Sequence, residues 1–330
     1  MKIRKACNLA RMYASPDRSI DVASPELQFM AAACAGNADS ATACFRERRL
    51  FGNTPPAVDA PYGRFAGLDA IRAFAAGFVS RFGAESAFLT PIIQTAAGGR
   101  VVSEVVVSLV VAGEIEEVPM FVVADLRTST TLEELRIYCH FSFVPGLQAY
   151  RKPIFPVAHR EMGDPGLLTG AVREYYTALH HSPALDVERI CKVFGAGCKF
   201  GGYEPWNHAG GANHGDPAAL RKSYERMATY IPRCVAMRYE TIIDDGRTCV
   251  IEWVHIVSRA GREELGRVAM SGIAAYERGD DGLLCAIRIS DYAGYERTID
   301  WSQLSDSRAD AEQINFVEAM PAGVGAKQHL

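Results

Sequence analysis

The chain has 330 residues, 48% hydrophobic and 22% charged, with a formal net charge of −4. That length accommodates two domains of ordinary size, and the composition is globular. The charge balance excludes a broad electrostatic attraction to nucleic acid or anionic membrane. No run of about 18 apolar residues marks a transmembrane helix. Nine cysteines, an odd number with no C-x-x-C pair, argue against a disulfide framework and a structural zinc site. The start MKIRKACNLARMYASPDRS is basic but lacks the apolar stretch of a signal peptide. The expected setting is a reducing cytoplasm.

Residues 1–24 read as an irregular extension. Ser24 is a candidate N-cap with Pro25 at the first helical position, and the helix through ELQFMAAACAG stops near Gly36. A second short helix, DSATACFRERRL, starts at an expected Asp39 cap. A turn-rich segment, GNTPPAVDAPYGRF, precedes a third helix over 68–80. Then come β-branched runs: VVSEVVVSLVV (101–111), a connection AGEIEE, VPMFVVADLR (118–127) and ELRIYCHF (134–141). The Pro- and Gly-rich stretch 151–168 reads as a linker. A second unit follows over 169–300, with helices GAVREYYTALH and DVERICKVF. A Gly-rich loop, GGYEPWNHAGGANHGDP, leads to a helix over 218–230. The strands are TCVIEWVHIVS (248–258), GRVAMSGIAAYER (266–278) and CAIRISDY (285–292). Residues 301–330 read as a loose tail.

The two halves repeat one pattern. Gly67 and Gly215 are 148 apart, as are Glu104 and Glu252, and Arg136 and Arg288 are 152 apart. A duplicated unit of helices followed by strands predicts α+β architecture in tandem. The loop GGANHG lacks the spacing and the preceding strand of a dinucleotide-binding turn.

Residues Gly67–Phe74 (GLDAIRAF) and Gly215–Tyr224 (GDPAALRKSY), with the order of helices and strands around them, resemble the nuclear transport factor 2-like superfamily. Within it, they look like the SnoaL-like polyketide cyclases, ketosteroid isomerases and limonene epoxide hydrolases. The resemblance covers about 25–145 and 168–297. It implies two cone-shaped α+β barrel domains, 25–150 and 169–300. Each would be three helices packed in a curved antiparallel sheet around a deep apolar pocket. Members include cofactor-independent enzymes and plain binding proteins, so fold does not fix function.

The second unit carries the polar residues that such a pocket needs. Glu204 precedes Pro205, where ketosteroid isomerase-like proteins place a carboxylate base; here it is Glu rather than Asp. Strand 248–258 puts Trp253 and His255 on one face, where epoxide hydrolase-like relatives carry an Arg-x-Asp pair, and this departure argues against epoxide hydrolysis of that type. Histidine titrates near neutral pH and serves as acid or base. Ile289 and Asp291 share a face of the last strand, and Asp291 matches the catalytic Asp of the cyclases. Tyr175 and Tyr176 lie where the isomerases place a Tyr that stabilises an oxyanion. Trp206, His208 and His214 would line the pocket mouth. Each residue also has a plain alternative: an exposed loop glutamate, a core histidine or tyrosine, a strand-end turn aspartate. Glu204 with His208 and His214 has no specific metal-ligand spacing.

The first unit offers Asn53-Thr54-Pro55, Val107 and Cys139 at the Glu204, His255 and Asp291 places, and reads as a structural partner without the acid–base set. Its Arg136, Tyr138 and His140 alternate opposite Ile137 and Cys139, the pattern of an interface. The expected function is a cofactor-independent cyclase, isomerase or dehydratase. Its substrate is a small hydrophobic polyketide-, terpenoid- or steroid-like molecule, with neither nucleic acid nor membrane as partner. The two domains are expected to form an internal pseudo-dimer, and homodimerisation is open. The alternative is a non-catalytic binding or scaffold protein of the same fold.

Overall fold

The computed structural model describes residues 18–46, 55–139, 165–179, 185–199, 216–230, 233–258, 267–291 and 317–318. The chain divides into two compact units, Met1–Leu147 and Gln148–Leu330.

The first unit begins with α1 (Pro25–Cys34) and α2 (Ala38–Ala43). Ser24 is the N-cap of α1 as expected, but its side chain donates to Glu26 rather than capping the backbone. The cap of α2 is Asn37 and not Asp39: its carboxamide oxygen accepts from Ser40 N at 3.0 Å. The turn-rich segment contains a hairpin, β1 (Ala57–Ala60) and β2 (Gly63–Ala66). Helix α3 (Leu68–Arg81) places Asp69 in its first turn and Arg81 in its last, matching the helix dipole, and buries Ile71, Phe74, Ala75 and Phe78. Strands β3 (Ser86–Ala97), β4 (Arg100–Val111), β5 (Glu114–Thr128) and β6 (Thr131–Tyr138) follow. The β4–β5 connection is tighter than the sequence suggested. Val111 pairs with Glu114 across Ala112 and Gly113, whose φ values of 51° and 79° suit a two-residue hairpin turn.

The second unit has a short 3₁₀ turn (Pro165–Leu167), α4 (Gly170–Leu179), α5 (Val187–Lys192), β7 (Phe194–Lys199) and α6 (Pro217–Tyr230). Strands β8 (Arg233–Asp244), β9 (Thr248–Ser258), β10 (Arg267–Arg278) and β11 (Leu284–Asp291) follow. Within the stretch read as a tail, β12 (Val317–Glu318) pairs with β8.

Each sheet has six strands, in the orders β2-β1-β6-β5-β4-β3 and β12-β8-β9-β10-β11-β7. The α+β class holds in both units. The sheets are mixed rather than purely antiparallel, because β1 pairs parallel with β6 and β7 parallel with β11. In each unit a short strand after the second helix returns beside the last long strand, and that return forces the parallel pairing. In the first unit Val105, Val107 and Leu109 of β4 join the helix-side core, as do Cys249, Ile251 and Trp253 of β9 in the second. That alternation is the one read from the sequence.

The repeat is now visible in hydrogen-bond register. Ile93 faces Glu104, and Thr241 faces Glu252, each pair 148 residues from its counterpart. A β-bulge interrupts β3 between Pro91 and Ile93 and β8 between Tyr239 and Thr241, again 148 apart. Asn37 caps α2 and Asp186 caps α5. Arg72 pairs with Asp39 and Arg221 with Glu188. The offset grows to 152 after the β4–β5 hairpin because Val110 pairs with Ile115 while Ser258 pairs with Arg267, four residues farther along.

Buried charge repeats too. Arg136 and Arg288 are both 0% exposed. Arg136 donates to Asp125 at 3.0 Å, and Asp125 also accepts from Arg100 at 3.0 Å. Arg288 donates to Glu277 at 2.8 Å, and Glu277 also accepts from Arg247 at 3.1 Å. In each unit the carboxylate lies on the strand beside the buried arginine, two positions past its register partner. A buried guanidinium is tolerated only when so paired. Tyr138, expected with Arg136 at an interface, is likewise buried; His140 lies outside the described residues.

Candidate functional site

Five phenols meet in the core between the helices and the sheet of the second unit. Tyr175 and Tyr176, consecutive on α4, both turn inward because they fall at the boundary of the helix's buried stripe with Val172 and Ala178. They meet Tyr224 from α6, Tyr276 from β10 and Tyr239 from β8. Ring centroids of Tyr276 lie 5.3 Å from Tyr175 and 5.4 Å from Tyr176, and that of Tyr239 lies 5.7 Å from Tyr176. The hydroxyls form two pairs: Tyr224 donates to Tyr175 at 3.0 Å, and Tyr176 and Tyr276 share a hydrogen bond at 2.8 Å. Both side chains are buried, each in its own hydroxyl pair. Burial, followed by the charges that neighbouring phenols would carry, holds Tyr176 and Tyr224 well above the ordinary tyrosine range. Tyr276 is raised by the same burial, against a lowering contribution from its bond to Tyr176. These groups are neutral hydrogen-bond donors at physiological pH.

Next to the phenols one row of positions crosses the sheet. Tyr239 pairs with Trp253, Trp253 with Gly272, and Gly272 with Asp291. The Trp253 indole lies over Gly272 so closely that a Cβ there would stand 2.7 Å from its ring. Glycine inside a strand marks such an approach. His255 stands two positions on along β9, opposite Met237 and Met270. Ile289 is opposite Ala274 and packs partly buried on the core. The register therefore puts Trp253 and Asp291 in one row. Glu204, Trp206, His208 and His214 lie outside the described residues. Among the described residues, no cluster of three or more His, Cys, Asp or Glu could hold a metal ion.

Matching the two units residue by residue isolates what is particular to the second. The bond from Asn37 N to Ala32 O corresponds to that from Asp186 N to Ala178 O, which matches Phe29 to Tyr175 and Met30 to Tyr176. Arg72 and Arg221 match Ala75 to Tyr224, and the strand offsets match Ala124 to Tyr276 and Pro91 to Tyr239. None of these five first-unit residues carries a hydroxyl. The row also differs: Val105 and Met120 face each other where Trp253 and Gly272 do. Tyr224, Tyr239, Tyr276 and Gly272 escaped the sequence reading. The signal was there, since β10 alternates and Tyr276 falls on its inner face, but only known register shows which residues meet.

No family model and no curated protein matches the chain. Solved structures do. One is a hypothetical protein with a ketosteroid isomerase-like fold from Catenulispora acidiphila, in complex with trimethylamine. It is 19% identical, covers 34% of this chain and 83% of its own, and has a TM-score of 0.29. A putative SnoaL-like polyketide cyclase from Jannaschia is 15% identical, with 38% and 91% covered and a TM-score of 0.27. A nuclear transport factor 2-like protein of unknown function from Cytophaga hutchinsonii is 13% identical, with 37% and 93% covered and a TM-score of 0.26. Each spans about a third of this chain. The α+β fold of each unit stands on its own helix order and register, and it is to nuclear transport factor 2-like structures that this chain is similar.

Proposed function

We propose that the second unit is a cofactor-independent acid–base enzyme, a cyclase, isomerase or dehydratase, acting on a small hydrophobic polyketide-, terpenoid- or steroid-like molecule. The supporting observation is the asymmetry between copies: five inward tyrosines in the second unit stand where the first has Phe29, Met30, Ala75, Ala124 and Pro91. A fold that fills these five positions without hydroxyls in one copy does not need them in the other. Neutral phenols in an apolar interior are suited to stabilise an enolate oxygen as it forms. In this reading Tyr175 or Tyr176 is the oxyanion donor, Glu204 or Asp291 the base, and His255 the acid or relay. Trp206, His208, His214, Trp253 and Ile289 contact the substrate. The first unit is the structural partner. A cytoplasmic setting agrees with the free thiols of Cys34, Cys44, Cys139, Cys191, Cys198, Cys249 and Cys285, and no helix among the described residues is long and apolar enough to cross a membrane.

The competing reading is a non-catalytic binding protein. It is favoured by the pairing of phenols with one another. The two separate in an exchange experiment. The full chain is incubated in D₂O with hydrophobic ketones of the three classes, and deuterium uptake beside the carbonyl is followed by mass spectrometry. An enzyme accelerates uptake for one class, and Glu204→Gln, His255→Ala or Asp291→Asn removes the acceleration. Binding without exchange establishes the second reading, and full activity in all three variants refutes the first.

A further inference from the structure

The first unit reads from sequence as lacking the acid–base set, yet its interior holds a carboxylate. Glu26, in the first turn of α1, is 0% exposed. Three donors converge on one of its oxygens, Oε1: Ser24 Oγ at 2.6 Å, Gln94 Nε2 at 2.8 Å and Ser103 Oγ at 2.9 Å. Gln94 is held in turn by Asp21 N, which donates to its oxygen at 3.0 Å. The other carboxylate oxygen, Oε2, is buried and has no hydrogen-bond partner among the described residues. None of the three donors carries a positive charge, and the α1 N-terminus offsets only part of the negative one. The Cys44 thiol is pushed up by burial and then by the charge of Glu26 nearby.

The second unit again serves as control. Ser24, Glu26, Gln94 and Ser103 correspond to Gly170, Val172, Ile242 and Ile251, none of which has a polar side chain. The fold does not require a carboxylate at this place. A buried anion with one oxygen unmet opposes folding, so packing alone does not explain it.

We propose that Glu26 anchors a second binding site, inside the first unit, for a small cationic N–H donor of the alkylammonium class. One N–H supplies the donor that Oε2 lacks, and the positive charge balances the carboxylate. Phe29, one turn along α1, is buried against Phe45 at 5.5 Å and Phe74 at 6.1 Å between ring centroids, so the neighbouring core supplies no competing charge. Oε2 is closed to solvent, so the packing over it must part for entry, which restricts the ligand to small amines. The inference is independent of the chemistry proposed for the second unit.

The test titrates the full chain with methylammonium chloride, against sodium chloride at matched ionic strength, and follows thermal unfolding. The expected result is a melting-temperature rise of about 3 °C at ten times Kd, seen with methylammonium only and lost in Glu26→Gln. Glu26→Val, which copies the second unit, is expected to lose the response and, without ligand, to melt at or above the parent temperature. Equal responses to the two salts, or a response that survives in Glu26→Val, overturns the proposal. So does a large fall in the melting temperature of Glu26→Val, which makes the carboxylate a structural group.

Discussion

Replacing Gly272 by alanine tests whether the Trp253 row is built as described. Gly272 has no positive φ, so alanine fits the backbone and, in a strand, would ordinarily stabilise by roughly 0.5–1 kcal/mol. Here the added Cβ would stand 2.7 to 2.8 Å from three atoms of the indole. Trp253 is only 4% exposed, so the ring has little room to withdraw. Overpacking of this kind costs about 1–3 kcal/mol. The steric term therefore exceeds the backbone gain, and Gly272→Ala is expected to destabilise. Combining Gly272→Met with Trp253→Val installs the Met120–Val105 pair that the first unit uses at the same row. The double variant is expected to be more stable than the sum of its single changes by at least about 1 kcal/mol, the coupling expected of residues in contact. Urea unfolding of the four proteins in the cycle, monitored by near- and far-ultraviolet circular dichroism, gives the coupling. A neutral or stabilising Gly272→Ala together with additive behaviour in the cycle would refute the reasoning.

Glu277→Ala leaves Arg288 buried without its carboxylate and is expected to cost about 3–5 kcal/mol in chemical denaturation. A loss below about 1 kcal/mol, the range of an exposed ion pair, would contradict the pairing. Tyr176→Phe strands the Tyr276 hydroxyl at a cost of about 1–3 kcal/mol, while Tyr176→Phe with Tyr276→Phe should cost less than twice that; additive losses would show the bond to be unimportant. Tyr176, Tyr224 and Tyr276 have folded-state values above the unfolded value near 10. Their contribution is thus complete below pH 10 and is lost as pH rises toward the folded values. Phenolate absorbance should accordingly show these tyrosines ionising only with alkaline unfolding, and their titration in the native state would contradict this. For Asp244, burial acts to raise its value but the bonds from Arg278 and Gly246 outweigh it, leaving it below the usual 3.8. The stabilisation it contributes is present above that value and is lost as pH falls through the lower folded one. Asp244→Asn should therefore flatten the acid limb of the stability curve, and an unchanged limb would argue against the pairing.

Much of the fold was legible because the duplication supplied its own control. The helices at 25–34, 68–81 and 217–230 and the long β-branched strands announced themselves through period and punctuation. The β1–β2 hairpin did not, because AVDA and GRFA are four residues each and too short for a period to register. The parallel pairings were also hidden, since they depend on chain return rather than local pattern. Trp253, Asp291 and the tyrosine pair on α4 were singled out by strand and helix position together with the resemblance. Their companions were not: Tyr224, Gly272 and Tyr276 gain meaning only from register across three strands and a helix. Glu26 carries no distinguishing signal within the helix sequence ELQFMAAACAG. Its isolation became evident only when Gln94 and Ser103, 68 and 77 residues away in sequence, were seen converging on a single oxygen.

The central claim is that the two units share a fold but only the second carries the acid–base site. It is tested most directly by fluorine NMR on the full chain labelled with 3-fluorotyrosine, titrated with the ketone that shows the fastest deuterium uptake. The account predicts that the resonances of Tyr175, Tyr176, Tyr224 and Tyr276 shift with the same concentration dependence as turnover, that Tyr62 of the first unit does not shift, and that Tyr175→Phe with Tyr176→Phe abolishes exchange. Shifts confined to Tyr62, or exchange unchanged in the double variant, would contradict it.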